Sequence, residues 1–161
     1  MLVRITEIPP EGKKTYEGDE YPSILEIAPD DRLVTVDQPV RYRVIASVAS
    51  SRLIVQGKVW TEVRFRCSRC SDVFPCEIRD DAFERVIDLS KDVLSVDLTA
   101  DIRETILLHF SGYPVCRADC RGLCSRCGAN LNKRTCHCTP TGDSRWGGLD
   151  GLRLPCGRGE G

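Results

Sequence analysis

Ten cysteines lie in this 161-residue chain, and six of them fall between Cys116 and Cys138. The stretch reads Cys116-Arg-Ala-Asp-Cys120-Arg-Gly-Leu-Cys124-Ser-Arg-Cys127-Gly-Ala-Asn-Leu-Asn-Lys-Arg-Thr-Cys136-His-Cys138. Thiolates at C-x2-C and C-x-C spacing converge on one tetrahedral zinc, with Zn–S bonds of about 2.3 Å. Cys124, Cys127, Cys136 and Cys138 form the fullest such set. Gly128 behind the second cysteine supplies the positive φ that aims backbone amides at sulfur. Cys67-Ser-Arg-Cys70 offers half a site, and Cys116 with Cys120 offers another half. Joined, they complete a second zinc site. A rival grouping places Cys120 with Cys124, Cys127 and one of Cys136 or Cys138, and the spacing alone leaves both open. Under the two-site scheme Cys76 is a small core residue and Cys156 a free thiol. His137 sits between two ligands and points away from them if the chain is extended, so it reads as an exposed histidine.

Zinc is favoured over disulfides by the expected compartment. Residues 1–10 carry no apolar signal core, and no apolar run reaches the roughly 20 residues that span a bilayer. The expectation is a cytoplasmic chain, with no membrane partner, whose thiols stay reduced. A thioredoxin-like pair would need a helix starting at the C-x2-C, and Cys67–Cys70 is flanked by strand patterns instead. No zinc-deaminase H-x-E partner, H-E-x-x-H or Gly-rich phosphate loop is present. An all-thiolate zinc is closed and activates no water. The chain therefore reads as no enzyme, with no small-molecule substrate.

Net charge is −1, which selects no partner class by itself. Residues 1–30 carry 3 basic and 7 acidic side chains, 31–110 carry 12 and 13, and 111–161 carry 8 and 4. Part of the basic excess at the C-terminal end offsets the −2 charge of a four-thiolate zinc. One strand face gathers Arg41, Arg43, Lys58, Trp60, Arg64 and Arg66; cations around an aromatic ring suit phosphates and stacked bases of RNA. Arg126, Lys133, Arg134 and Arg145 extend this candidate RNA surface to the tail. The plain alternatives are a solvated strand face and a Trp60 covered by a helix.

These residues need elements to hold them. Residues 1–7 alternate weakly as an edge strand, and residues 9–20 read as a mobile, turn-rich acidic segment. Residues 40–49 place Val40, Tyr42, Val44, Ala46 and Val48 on one face, and Ser50-Ser51 supplies the turn. Residues 52–67 alternate throughout, with Leu53, Val55, Gly57, Val59, Thr61, Val63, Phe65 and Cys67 on one face. Period 2 over that length is a long antiparallel strand with one buried face, and Gly57 marks a bulge or bend. Cys67–Cys70 then falls at a hairpin tip. A helix is expected over 97–110, with Leu98, Ile102, Ile106 and Phe110 in line and Asp97 or Thr99 at its start. Trp146, Leu149 and Leu152 follow the cysteines, and residues 153–161 read as frayed. The fold class is α+β and mostly antiparallel β: a twisted sheet with one main packing helix and a C-terminal zinc ribbon. Its parts are residues 1–32, an N-terminal strand and acidic segment; 33–114, sheet, knuckle and helix; and 115–161, ribbon and tail.

The run from Cys67-Ser-Arg-Cys70 through Cys116-x3-Cys-Arg-Gly-Leu-Cys124-x2-Cys127-Gly-Ala-Asn-Leu-Asn132-x3-Cys136-x-Cys138 to Asp143-Ser-Arg145-Trp146-x2-Leu149 resembles the YceD family of large ribosomal RNA subunit accumulation proteins, found in bacteria and plant organelles. The resemblance covers roughly residues 33–152. It implies a non-catalytic role in synthesis, processing or stability of precursor large-subunit (23S) ribosomal RNA. Binding to that RNA or to a pre-ribosomal particle is one route; an adaptor that docks a ribosomal protein or nuclease is the other. Relatives that keep the C-x-R-C pair but lose much of the later cluster imply that Cys67 and Cys70 are closed independently, by Cys116 and Cys120.

Overall fold

The computed structural model describes residues 1–90 and 92–138. The expectations for Arg145, Trp146, Leu149, Leu152, Cys156 and the 153–161 tail lie outside the described residues. Among them, seven strands and one α-helix are found: β1 Leu2–Arg4, β2 Lys13–Glu20, β3 Val34–Thr35, β4 Val40–Ala49, β5 Arg52–Arg66, β6 Val73–Asp88, β7 Ser95–Asp97 and α1 Thr99–Leu108. Every strand pairing is antiparallel. β5 is the spine, flanked by β4 and β3 on one side and β6 on the other, with β2 outside β4. β1 and β7 make a separate two-stranded ribbon. The fold is thus the α+β, largely antiparallel architecture that the alternating pattern requires.

The alternation in β4 and β5 sets the layers. Val40, Val44 and Ala46 join Leu53, Val55, Val59, Val63 and Phe65 in a single buried face. Ile78 and Phe83 of β6 extend it. α1 closes this face with Leu98, Ile102 and Ile106, all fully buried, and Leu25 fills the space beside it from a short 3-10 turn over Pro22–Leu25. A ten-residue helix is marginal alone; each fully buried isoleucine adds about 2–3 kcal/mol at most by removal from water. Asp97 accepts the N–H (2.9 Å) and hydroxyl (2.6 Å) of Thr99, which fixes the helix start. Buried Thr105 is satisfied by Arg85, whose guanidinium also meets Asp101 at 2.7 Å, so helix and β6 are joined by polar bonds as well as by apolar packing.

One local expectation is corrected and another is located. Residues 13–20, read as part of a mobile turn-rich segment, form β2, in register with β4 from Lys13↔Ser47 to Glu20↔Val40. Its polar sequence suits an edge strand, because alternate side chains face water and the charges pair across the ladder, as Glu17 does with Arg43. The irregularity expected at Gly57 is present there: Gly57 pairs with Phe83 and Val59 with Asp80, so Asp81 and Ala82 of β6 together oppose Lys58. Gly57 serves another purpose. A Cβ there would lie 2.6 Å from the Cα of Val44 and closer still to the carbonyl oxygen of Arg43. The bulge and Pro75 sit on β6, the edge strand beyond β5, where both discourage pairing with another chain.

Candidate metal centres

β5 and β6 are joined by a tight turn that carries Cys67-Ser-Arg-Cys70-Ser71. The Ser71 N–H bonds the Cys67 carbonyl at 2.9 Å, the Cys67 N–H bonds the Asp72 carbonyl at 2.8 Å, and Ser71 adopts φ 61°. Cys124-Ser-Arg-Cys127-Gly128 repeats this turn. Gly128 bonds the Cys124 carbonyl at 2.9 Å, Cys124 bonds the Ala129 carbonyl at 2.8 Å, and Gly128 has φ 69°. In both turns the amide two residues on points at the first sulfur: Arg69 N–H to Cys67 Sγ and Arg126 N–H to Cys124 Sγ, each 3.4 Å. The same four residues, Cys-Ser-Arg-Cys, thus build one geometry twice.

Each turn receives a second pair of sulfurs. Two residues past the end of α1, Phe110 packs edge-on against Phe65, and the Ser68 N–H bonds the carbonyl of Pro114 at 2.8 Å, which brings Cys116 and Cys120 onto the first turn. Cys67 and Cys120 then stand 3.9 Å apart, and Cys70 and Cys116 3.7 Å apart. In the second cluster Cys136 lies 3.5 Å from Cys127 and 3.4 Å from Cys124. Within each set of four, Cys67/Cys70/Cys116/Cys120 and Cys124/Cys127/Cys136/Cys138, all sulfurs fall within 4.8 Å of one another. A tetrahedron with bonds of about 2.3 Å has edges of about 3.8 Å, so both sets have the dimensions of a four-thiolate zinc site. A disulfide would need about 2.05 Å. The rival grouping fails because Cys120 belongs to the first set. Cys76 packs at the edge of the main core, as a small hydrophobe would. His137 is exposed.

The two clusters differ in surroundings. Cys67, Cys70 and Cys120 are buried, whereas Cys127 and Cys138 are exposed. Burial acts to raise the Cys67 thiol, but the amides of Cys116, Cys70 and Arg69 outweigh it and bring it down to about 6. Cys124 is brought to about 6 by the amides of Cys127 and Arg126. Cys116 is pushed up to about 12 by burial and by the sulfurs of Cys70 and Cys120, and Cys138 to about 12 by those of Cys136 and Cys127. Burial acts to raise Cys120 as well, but the Asn132 amide and the Gly122 N–H prevail and lower it. The first cluster thus favours thiolates at Cys67 and Cys120 and the second at Cys124, while Cys116 and Cys138 hold protons that a divalent cation would displace.

Four residues that sequence reasoning did not single out hold this region together. Gly122, at φ 74°, lets the chain pass close to the Arg69 carbonyl, which accepts the Leu123 N–H at 3.0 Å. Asp72 accepts Asn130 Nδ2 at 3.0 Å and Lys133 Nζ at 2.7 Å, and Lys133 holds its carboxyl below the usual range. Asn132 donates to Cys120 Sγ at 3.3 Å, and its oxygen accepts the Arg121 N–H and Arg117 Nη2. The available signal was the Asn-x-Asn between the cysteine pairs and an acid two residues past Cys70.

The candidate RNA residues divide by what they already touch. Arg43 makes two bonds to Glu17 (2.9 and 2.7 Å), Arg64 meets Asp37 at 2.6 Å, and Lys133 is held by Asp72. Arg66 donates to the carbonyls of Arg32 and Ser71. The face therefore alternates in sign. Trp60 lies on it, opposite the face that α1 covers, with Arg41 across from it on β4 and Arg79 on β6. Lys58 Nζ is 5.6 Å and Arg79 Cζ 6.0 Å from its ring centre. Arg126 and Arg134 are exposed on the ribbon. No described helix is long and apolar enough to cross a membrane.

Residues 77–153 match the family described as large ribosomal RNA subunit accumulation protein YceD. The chain is 38% identical over 63 residues to a chloroplastic large ribosomal RNA subunit accumulation protein, YCED homolog 1, of Arabidopsis thaliana, covering 38% of this chain and 20% of that protein. It is 44% identical over 46 residues to the Zea mays protein of the same name, covering 28% of this chain and 16% of that one. The chain thus spans a fifth or less of the length of these curated relatives. No solved structure matches it. The resemblance carried by the cysteine motif holds over that segment.

Proposed function

We propose, from the premise that residues 77–153 are a YceD segment, that this chain is a non-catalytic zinc protein supporting the synthesis, processing or stability of large-subunit ribosomal RNA. One observation carries the reading. The matched segment contains six of the eight clustered cysteines, and the other two, Cys67 and Cys70, complete a site that begins inside it. Two zinc ions, each with four thiolates, would hold the ribbon against the sheet. Closed sites of this kind supply structure rather than an activated water. The relatives' name is tied to an RNA, not to a reaction.

Contact with precursor RNA or a pre-ribosomal particle would fall to surface side chains of the sheet and the ribbon. Arg41, Lys58 and Trp60 offer cations and a ring on the sheet, and Arg126 and Arg134 offer cations on the ribbon, where phosphate contact and base stacking would both be served. The working compartment is one that keeps thiols reduced, the cytoplasm in the simplest case. A second reading rests on the ion pairs at Arg43, Arg64 and Lys133. A sign-alternating face suits a protein partner better than a polyanion, so an adaptor that docks a ribosomal protein or nuclease follows from it. The test is ultraviolet crosslinking of the zinc-loaded chain to precursor large-subunit RNA across a salt series. Combined Arg41→Glu, Trp60→Ala and Arg134→Glu substitutions should abolish crosslinking and flatten its salt dependence. Crosslinking that survives them rejects direct contact through these residues; crosslinking absent from the parent, with retained capture of a ribosomal protein, selects the adaptor.

A further inference from the structure

We infer that Asn132 and Asp72 are positioning residues that couple the two metal sites, so that filling one raises the affinity of the other. The inference rests on the zinc reading above and adds to it a dependence between the sites. The observations form one continuous path. Asn132 Nδ2 bonds Cys120 Sγ, a member of the first cluster, from a position between Cys127 and Cys136 of the second. The same Nδ2 donates to Asn130 Oδ1 at 3.0 Å, and the Asn132 N–H meets that oxygen at 2.9 Å. Asn130 Nδ2 in turn reaches Asp72, two residues beyond Cys70. Lys133, next to Asn132, bonds the other oxygen of the same carboxylate. From the first turn, Arg69 reaches back to the carbonyls of Ala118 and Cys120, at 3.3 Å each, while its own carbonyl holds Leu123, the residue before Cys124.

A ligand sulfur is tuned and oriented by the donors around it. Here the donor on Cys120 belongs to the loop that the second metal would order. With the second site filled, the Asn130–Lys133 loop is fixed and Asn132 is preset on Cys120. With the second site empty, the first must order that loop itself, and its affinity falls by the cost. Reciprocity requires the same factor in the opposite direction.

The test uses the full chain, titrated with zinc against a chromophoric chelator, and with cobalt, whose sulfur-to-metal charge-transfer band reports each thiolate. The parent should hold two zinc ions. Cys136→Ser should remove one and weaken the remaining site about tenfold or more. In an Asp72→Ala background that further weakening should disappear. Asn132→Asp keeps the acceptor that bonds Arg121 and Arg117 but replaces the donor on Cys120 with an anion. It should weaken the first site and shift the cobalt band of that site alone, whereas Asn132→Ser, which keeps a donor, should recover part of the loss. If Cys136→Ser leaves the first site at parental affinity, or Asn132→Asp leaves the band unmoved, the coupling is wrong while the zinc reading stands. A parent that holds no zinc overturns both.

Discussion

Phe110 meets Phe65 edge-on, with ring centres 5.3 Å apart and planes at 86°. Phe65 precedes Cys67 by two residues on β5, and Phe110 precedes Cys116 by six, two residues past the end of the helix. The contact therefore sets the distance between two halves of a metal site that are far apart in sequence. Phe110→Ala should cost about 2 kcal/mol in stability, below the range for a fully buried phenylalanine because this ring is half-exposed. Chemical denaturation of the zinc-free chain measures that loss. The first site should lose affinity with it and the second much less; equal losses at both would show that the ring contact does not set the first site.

Ser71 and Gly128 occupy equivalent places in two matching turns, both with positive φ. That region costs a residue with a Cβ about 1 kcal/mol or more relative to glycine. Ser71→Gly should stabilise the zinc-bound chain by about 0.5–1 kcal/mol, since added freedom in the unfolded chain offsets part of the relief. A lowered Tm would mean the serine has a role beyond its backbone angle.

Gly57 faces the β4 backbone with no space for a side chain. Gly57→Ala should push the strands apart and cost about 3 kcal/mol. Circular dichroism melts of the variant and parent check this, and a change under 1 kcal/mol would show the sheet yields there more readily than the close approach implies.

Acid should strip the metal. Cys67 and Cys124 sit near 6 when metal-free, while Cys116 and Cys138 sit near 12, so ligation expels protons and affinity rises with pH. With two or more protons expelled per zinc near neutrality, affinity should fall about 100-fold for each pH unit lost. In the metal-free chain the stabilisation from the Cys67 thiolate is complete above its ordinary value of 9.0 and vanishes as pH falls through about 6. Chelator competition between about pH 5 and pH 8 measures the first effect, and a flat profile would reject thiolate ligation.

How far the chain could be read before its structure differs from element to element. β4, β5 and the core face of α1 were legible because burial on one side imposes a period on the apolar residues, and Val55, Ile102 and their neighbours obey it. The pairing of Cys67 and Cys70 with Cys116 and Cys120 was legible only as one of two groupings: neither pair completes a tetrahedron alone, but spacing equally let Cys120 join the later cysteines, and it took the folded chain to bring the four sulfurs together. β2 was hidden because an edge strand needs no apolar face and its stabilising partner, Arg43, lies 26 residues away. The neutralised arginines were hidden for the same reason: spacing shows that Arg64 faces outward but not that Asp37 waits for it. The link from Asp72 to Asn130 and Asn132 joins residues 58 or more positions apart, and no local pattern reports such a contact.

The 53 residues that separate Cys67 from Cys120 have a consequence for the order of events at birth. The first cysteine pair leaves the ribosome well before its partners are made. At synthesis rates of about 5–20 residues per second, the gap lasts roughly 3–10 s. During that interval the hairpin carries two thiols with no intramolecular companions, open to a passing metal, an oxidant or another nascent chain. The Cys124 cluster has no such wait, because its four cysteines emerge within 15 residues. The more exposed of the two centres is thus the one that can close as soon as it is made, and the buried one is the one that needs protection until the helix arrives.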